Sequence, residues 1–429
     1  MFNELRLLEQ SHRCIQVGLV GAGAMGRGIA QQISKVPGMQ LSFIADHNRA
    51  AAEDAARVYG DRTVVETDAL AALGNPSLQL DVLVEATNSI LAAFDYCAAA
   101  IERHAHCVLM NAEVDLILGH LLRGMARKEG VVVTSDAGDQ HGVLATLLEE
   151  IDTWGLEIVQ VGNMKGFLER HRNLAGSVAI ARQLKLSTEQ CLAYTDGSKL
   201  NIEMSIIGNE YGLKTVQPGM RGPRAERAED ALSLFDFENG SGGDGHVDYI
   251  LGARQHGAGV YIITRCRDPI QASYLHYYKV PSKGDYFLFL RPYHLCHFET
   301  PRAIARAYLY RSAVCSMRQG RVTDCYAWAK RSLRVGDTIR HAIGSDEIYG
   351  LIMNAKEADA ANCVPQGLLE LEDSQDVPRV KRAIGIDEFL TWDHVEMPDS
   401  RLVQLWREQQ RLLALRPAIG HHNQEAPCH

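Results

Sequence analysis

The chain has 429 residues, 46% hydrophobic and 23% charged, with 44 basic against 53 acidic side chains for a formal net charge of −9. That length exceeds one ordinary core, so two or three domains are expected, and the acidic balance argues against general nucleic-acid binding. There is no run of about 18 apolar residues to span a bilayer, and MFNELRLLEQSHR lacks the apolar centre of a secretory signal, so a cytoplasmic protein is expected.

Residues 15–20 (IQVGLV) predict a buried parallel strand, and Ala24 to Ile33 keep apolar residues at helical spacing. Between them Gly21, Gly23 and Gly26 form a GxGxxG, a weak signal when it stands alone. A second apolar segment, LSFIAD, ends in Asp46, 20 positions after Gly26, where dinucleotide folds place a carboxylate for the adenosine ribose. In that geometry Gly21 makes the turn, Gly23 admits the pyrophosphate, and Gly26 lets helix and strand pack closely, with the helix N-terminus facing the phosphates. The expected cofactor site comprises Gly21, Ala22, Gly23, Ala24, Met25, Gly26, Asp46 and Arg49, together with Ala86 and Thr87 at the end of DVLVEAT. Asp46 favours a free 2′-hydroxyl, whereas Arg49 offers a partner for a 2′-phosphate.

The alternation continues through DVLVEAT (81–87), CVLMN (107–111) and GVVVTSDAG (130–138), giving six or so parallel strands, and LEIVQVG (156–162) is able to extend the same sheet. Residues 163–256 read as helical pieces and polar loops, including a flexible SGGDG at 241–245. GVYIITRC (259–266) and YFLFL (286–290) read as strands, and a helix follows with Pro301 in its first turn. From about Val322 short strand-and-turn units take over, and KRSLRVGDTI is similar to KRAIGIDEFLTWDHVEM. The expected organisation is α/β: a Rossmann doubly wound sheet (1–160), a central α+β catalytic and dimerisation region (161–320), a small β-clip lobe (321–415) and a disordered tail (416–429). The ten scattered cysteines contain no CxxC and read as reduced core thiols; no metal is assigned.

Three clusters and one further string carry candidate chemistry. In MNAEVD, Asn111, Glu113 and Asp115 follow a strand end, placed either to bind substrate hydroxyls or to cap a helix. TSDAGDQHG offers Asp136, Asp139 and His141, two carboxylates where capping needs one. In DGSKLNIEM, Lys199 and Glu203 share a helical face, with Asn201 nearby and Asp196 as a plausible N-cap. Lys165 stands on a glycine-flanked turn in GNMKGF. A surface ion pair explains Lys199 and Glu203 as well, but two lysines in one crevice would neutralise an anion and polarise a carbonyl. FLRPYHLCHFETP adds Arg291, Tyr293 and His294. Lys165, Lys199, Glu113, Asp136 and Asp139 are taken as catalytic candidates, and Asn111, Asp115, Asn201, Glu203, Arg291, Tyr293 and His294 as substrate-binding ones.

The order GAGAMG, MNAEVD, SDAGDQ, DGSKLNIEM, RPYHL with a following ETP, and a C-terminal SAF-type module resembles the homoserine-dehydrogenase-like oxidoreductases that include the type II 1-deoxy-D-xylulose 5-phosphate reductoisomerases. The resemblance runs over nearly the whole chain. It implies an NAD(P)-dependent oxidoreductase, with or without a coupled skeletal rearrangement, acting on a small polar, anionic substrate, assembled as a homodimer or homotetramer and leaning to NADP. One departure stands out: the type II reductoisomerases carry a G-K-G-K-N-N loop, whereas this chain reads Gly162, Asn163, Met164, Lys165, Gly166, one phosphate-neutralising charge fewer. The reaction class therefore carries over better than the substrate. The competing reading is a catalytically inactive dinucleotide-binding regulator or sensor.

Overall fold

The computed structural model describes residues 1–184, 186–238, 245–253, 257–370 and 377–415. The tail at 416–429 and all but the last residue of the 241–245 loop lie outside the described residues. After a short helix α1 (Phe2–Gln10) the chain alternates through β1 (Ile15–Val20), α2 (Ala24–Ile33), β2 (Met39–Ala45), α3 (Arg49–Ala56), β3 (Val64–Glu66), α4 (Ala69–Gly74), β4 (Val82–Glu85), α5 (Ile90–Glu102), β5 (His106–Leu109), α6 (Ala112–Lys128), β6 (Val133–Ser135) and α7 (Gln140–Trp154). The six strands form one parallel sheet in the order β3-β2-β1-β4-β5-β6. The strand order reverses between β1 and β4, which leaves a crevice at their carboxyl ends. Covered on both faces by helices, the strands read as continuous apolar runs: every residue of β1 except Gln16 is buried.

One of the six strands is β3, and LEIVQVG, expected to extend this sheet, lies outside it. β3 has three residues at the sheet edge, none of them buried, so no apolar run announces it. Instead β7 (Glu157–Lys165) belongs to a second, mixed sheet, reached after α8 (Leu174–Leu184), α9 (Thr188–Asp196), α10 (Ser198–Tyr211) and α11 (Ala231–Leu234) by β8 (His246–Leu251), β9 (Val260–Arg265), α12 (Pro269–Tyr277), β10 (Ser282–Lys283) and β11 (Tyr286–Arg291). Its order is β10-β11-β9-β7-β8, with β7 parallel to β8 and antiparallel to β9. Local pattern shows that β7 is a strand, but its partners come from far along the chain.

Helix α13 (Cys296–Tyr310) begins five residues before Pro301, which lies buried inside it rather than in the first turn. The first turn is closely packed: a Cβ on Gly138 would lie 2.0 Å from the Cys296 carbonyl oxygen and 2.5 Å from that of Leu295. The loop after β6 thus lies against the start of α13, and inside the helix the proline gives up one intrahelical bond. α13 then packs on α2 and on β4, β5 and β6, tying the second sheet to the first.

The remaining strands are β12 (Thr323–Ala329) and β13 (Ile348–Asn354), followed by α14 (Ala355–Ala360), β14 (Arg379–Val380), β15 (Val395–Glu396) and α15 (Arg401–Ala414). The two similar basic-pair units face each other, since Leu333 N–H donates to the Ile384 carbonyl at 2.9 Å and the reverse bond is 3.0 Å. Aligned on that pair, Gly336 (φ 91°) and Asp387 (φ 59°) are equivalent, both left-handed turn positions. The units are a structural duplication around a separate small core that includes Ile339 and Leu390. α15, grouped with this lobe by the sequence, reaches it through Trp406, 6.0 Å from Trp392 between ring centroids, but packs mainly on α6, where the buried Gln409 donates to the Ile117 carbonyl and accepts from Leu121 N–H. Among the described residues no helix is long and apolar enough to cross a membrane.

Candidate functional site

At the carboxyl end of β1 the three glycines have three different steric reasons. Gly21 has φ +96°, and a Cβ there would lie 2.6 Å from the Ala86 carbonyl oxygen. A Cβ on Gly26 would lie 1.9 Å from the Gly21 carbonyl oxygen, so helix α2 sits against the turn only because the side chain is missing. Gly23, the N-cap of α2, has nothing within 4 Å of a Cβ, and no side chain caps the helix. Open space in front of an uncapped helix N-terminus fits a pyrophosphate, which the backbone N–H groups and the helix dipole would hold. Gly23 and Ala24 are exposed there and Met25 is partly so. Asp46 closes the other side: one carboxylate oxygen accepts Ala22 N–H at 2.7 Å and the other Asn48 N–H at 2.8 Å. Arg49 is exposed and pairs with Glu53 at 2.9 Å. Ala86 hydrogen-bonds the Val20 carbonyl, and Thr87 N–H donates to Glu85 at 2.8 Å.

Further along the same carboxyl edge a polar cluster forms from residues far apart in sequence. Asp136 and Asp139 lie in the loop between β6 and α7, Lys165 ends β7, Lys199 and Glu203 share one face of α10, and Cys296 starts α13. Lys165, Glu203, Asp136, Asp139 and His141 are all buried. The Lys199 ammonium is raised above the ordinary lysine range: burial opposes the charge, but Glu113, Asp139 and Glu203 outweigh it. Burial pulls Lys165 down, with Glu203 working against that shift and Lys199 with it. Its ammonium also lies 5.0 Å from the Tyr194 ring centroid. The two lysines are thus shifted in opposite directions.

The carboxylates divide likewise. Burial pushes Asp136 up to about 7, reinforced by Asp139. Asp139 is also desolvated, yet Lys199, His141 and His294 hold it below the usual range. Burial raises Glu203 against the pull of Lys165. Burial raises the Cys296 thiol and lowers His294, while Asp139 adds to the thiol's shift.

Buried polar atoms of this cluster without a hydrogen bond inside the protein include one oxygen of Glu203 and both ring nitrogens of His141. An unsatisfied buried polar group costs about 1–3 kcal/mol. Atoms left in this state are available to a polar ligand. Among the described residues no group of three or more His, Cys, Asp or Glu side chains is arranged to hold a metal ion.

The other candidates lie outside this cluster, held by neighbours. Asn111 caps α6 through Glu113 and Val114 N–H and donates to the Ser89 carbonyl. Asp115 is fully buried in an ion pair with Arg123 at 2.6 Å and accepts from the Ser135 hydroxyl. Asn201 bridges the Gly197 carbonyl and Ile352 N–H. Arg291 is paired with Glu299 and stacks over Tyr293 at 5.2 Å, and Tyr293 is half exposed. Of that string His294 reaches the cluster, its ring held to the Ala258 carbonyl at 2.6 Å. Cys296 and Tyr194 were not singled out from sequence, and the one available signal was the position of Cys296 within RPYHLCH. Asp196 does accept Ser198 N–H at 2.8 Å, but the N-cap of α10 is the left-handed Gly197.

Residues 21–135 match the family model described as homoserine dehydrogenase, NAD binding domain. Residues 138–300 match the one described as oxidoreductase DRL, catalytic domain. No curated protein matches the chain. Similar solved structures include a dehydrogenase from Chromobacterium violaceum, 13% identical with a TM-score of 0.40 over 70% of this chain and 90% of that one. A myo-inositol dehydrogenase from Corynebacterium glutamicum is 14% identical with a TM-score of 0.34 over 59% and 72%. A biliverdin reductase from Synechocystis, solved with biliverdin and NADP+, is 18% identical with a TM-score of 0.28 over 36% of this chain, which spans 48% of its length. The two family matches support a dehydrogenase-like oxidoreductase, and the first, with the glycine cradle it contains, supports a nicotinamide dinucleotide as cofactor.

Proposed function

We propose that this chain catalyses NAD-dependent interconversion of a carbonyl and a hydroxyl group on a small polar, anionic compound. The observation that carries the reading is the buried cluster of Lys165, Lys199, Glu203, Asp139 and His141, whose unpaired polar atoms call for a ligand with several oxygens. When bound, the dinucleotide supplies the hydride chemistry. Lys199, kept charged by three carboxylates, stabilises negative charge developing on the reacting oxygen. Lys165, which gives up its proton more easily because it is desolvated, holds the proton at Nζ that this oxygen gains or loses. Asp139, His141 and Glu203 orient the substrate hydroxyls.

NAD is preferred over the NADP to which the motif resemblance leans. Asp46 is fixed by two backbone N–H groups where a ribose would lie, and Arg49 is engaged with Glu53, so a 2′-phosphate would meet carboxylate charge. A coupled rearrangement, as in the reductoisomerases, is the finer part of the proposal, supported by the motif order alone. The test is oxidation of NADH and NADPH, and reduction of NAD and NADP, against a panel of sugar phosphates, keto acids and hydroxy acids. Turnover on an anionic member that is lost in Lys199→Ala supports the reading. A chain that binds NADH tightly and turns over nothing in the panel overturns it in favour of a dinucleotide-binding regulator.

A further inference from the structure

We infer that Lys330, in the C-terminal β lobe, is a positioning residue for Lys199; the inference rests on the role proposed for Lys199 above. Lys330 follows β12 and is 4% exposed. Its ammonium donates to Asp196 Oδ2 at 2.8 Å and to the Ser345 carbonyl at 2.6 Å. Asp196 is the last residue of α9, and its other oxygen accepts Ser198 N–H at 2.8 Å, across Gly197 at φ 91°. A lobe lysine therefore holds the turn that launches α10, one residue before Lys199.

The same lobe grips the helix on both sides of that lysine. The Ser198 hydroxyl accepts Gly350 N–H from β13 at 2.9 Å and faces the Gln366 amide at 3.3 Å. Asn201 accepts Ile352 N–H at 2.9 Å, and the Thr323 hydroxyl donates to the Ser205 carbonyl at 3.1 Å. At 100° per residue, positions 198, 201 and 205 form one stripe of the helix, and 199 and 203 lie on another, turned well away from it. The lobe holds the first stripe, and the site receives the second.

A buried ion pair is a poor way to gain stability, because desolvation offsets the attraction. What it supplies here is a fixed direction: Lys330 and Asp196 close a hydrogen-bonded path from lobe backbone to the first turn of α10. The lobe, on this inference, acts in the reaction by aiming Lys199, although Lys330 itself touches no reacting atom.

The test compares Lys330→Met, Lys330→Arg and the charge-balanced Lys330→Met/Asp196→Asn double variant, which keeps an acceptor for Ser198 N–H should the single variant fail to fold. Lysine acetylation rates, read by mass spectrometry well below the melting temperature, report Lys199, with Lys165 on β7 as the internal control. Loss of aim predicts severalfold faster labelling of Lys199 with a much smaller change at Lys165 and NADH affinity retained, and Lys330→Arg restoring slow labelling. On a panel compound that the wild type turns over, kcat falls on the order of 10²-fold, the usual cost of a displacement near 1 Å, with KM changing little. Unchanged Lys199 labelling, or equal acceleration at Lys165, overturns the inference and leaves Lys330 a structural residue. If no panel compound is turned over, the proposed function fails while the labelling still decides the positioning claim.

Discussion

Replacing Gly23 by valine separates the cofactor reading from a mere strand-to-helix turn. The backbone at Gly23 (φ −65°, ψ −163°) is extended and open to other residues, and a Cβ there meets nothing within 4 Å. Valine is a poorer N-cap than glycine, and the lost unfolded-state freedom works in the opposite direction, each about 1 kcal/mol or less. Net stability should change by about 1 kcal/mol or less, a few degrees in melting temperature. The side chain instead fills the space in front of α2 where the pyrophosphate would lie. Losing two charge-assisted hydrogen bonds at about 1.5–3 kcal/mol each costs about 3–6 kcal/mol, a Kd increase of roughly 10²–10⁴-fold. Gly26→Ala is the control, because its Cβ would lie 1.9 Å from a backbone oxygen and must damage the fold itself. Calorimetric titration with NADH, beside thermal melts of both variants, reads the two effects separately. Wild-type affinity in Gly23→Val, or a melting point as low as that of Gly26→Ala, refutes the argument.

Three further outcomes are expected. Lys199→Ala should lower turnover by about 10²-fold or more; it also removes the cation that does most to hold the Asp139 carboxyl below the usual range, so its melting deficit should be full above the ordinary aspartate value of 3.8 and shrink as pH falls below it, and a pH-independent deficit would contradict the cluster. Asp136 has a folded-state pKa raised from 3.8 to about 7, so its protonated form contributes stability that is present below about pH 4 and lost as pH rises through about 7. Relative to wild type, Asp136→Asn should therefore gain stability across that window, by about 4 kcal/mol at most; His106 and His246, lowered to about 4 by burial, act in the opposite sense but cancel in the difference, and parallel urea-derived stability curves would refute the burial argument. In cofactor titrations Arg49→Ala should leave NADH and NADPH affinities nearly unchanged, since its exposed pair with Glu53 is worth about 0.5 kcal/mol or less, whereas Asp46→Asn should weaken NADH by about 1–3 kcal/mol and shift the preference towards NADPH; a selective NADPH loss in Arg49→Ala would restore the NADP assignment.

What the sequence determined by itself is what depends on neighbours within a few residues. β1, the three glycines and Asp46 are legible because a buried parallel strand, a tight turn and a helix start each leave a local pattern. Lys199 and Glu203 could be placed on one face for the same reason, since a helical repeat needs no tertiary knowledge. What the tertiary structure alone decided is which strands share a sheet and which charges meet. β3 is too short and too exposed to leave an apolar signature, and β7 is a strand in either sheet until β8 and β9 pair with it. Pro301 suits a first turn by its own chemistry, yet the helix starts five residues upstream, where Gly138 of a distant loop lies against the 295–296 carbonyls. Asp115 and Glu113 are two residues apart with the same charge, and only their surroundings send one to Arg123 and the other towards Lys199. The Lys330–Asp196 pair joins positions far apart along the chain. Coulomb energy in a low-dielectric interior depends on distance and desolvation, and neither exists in a sequence until the chain has folded.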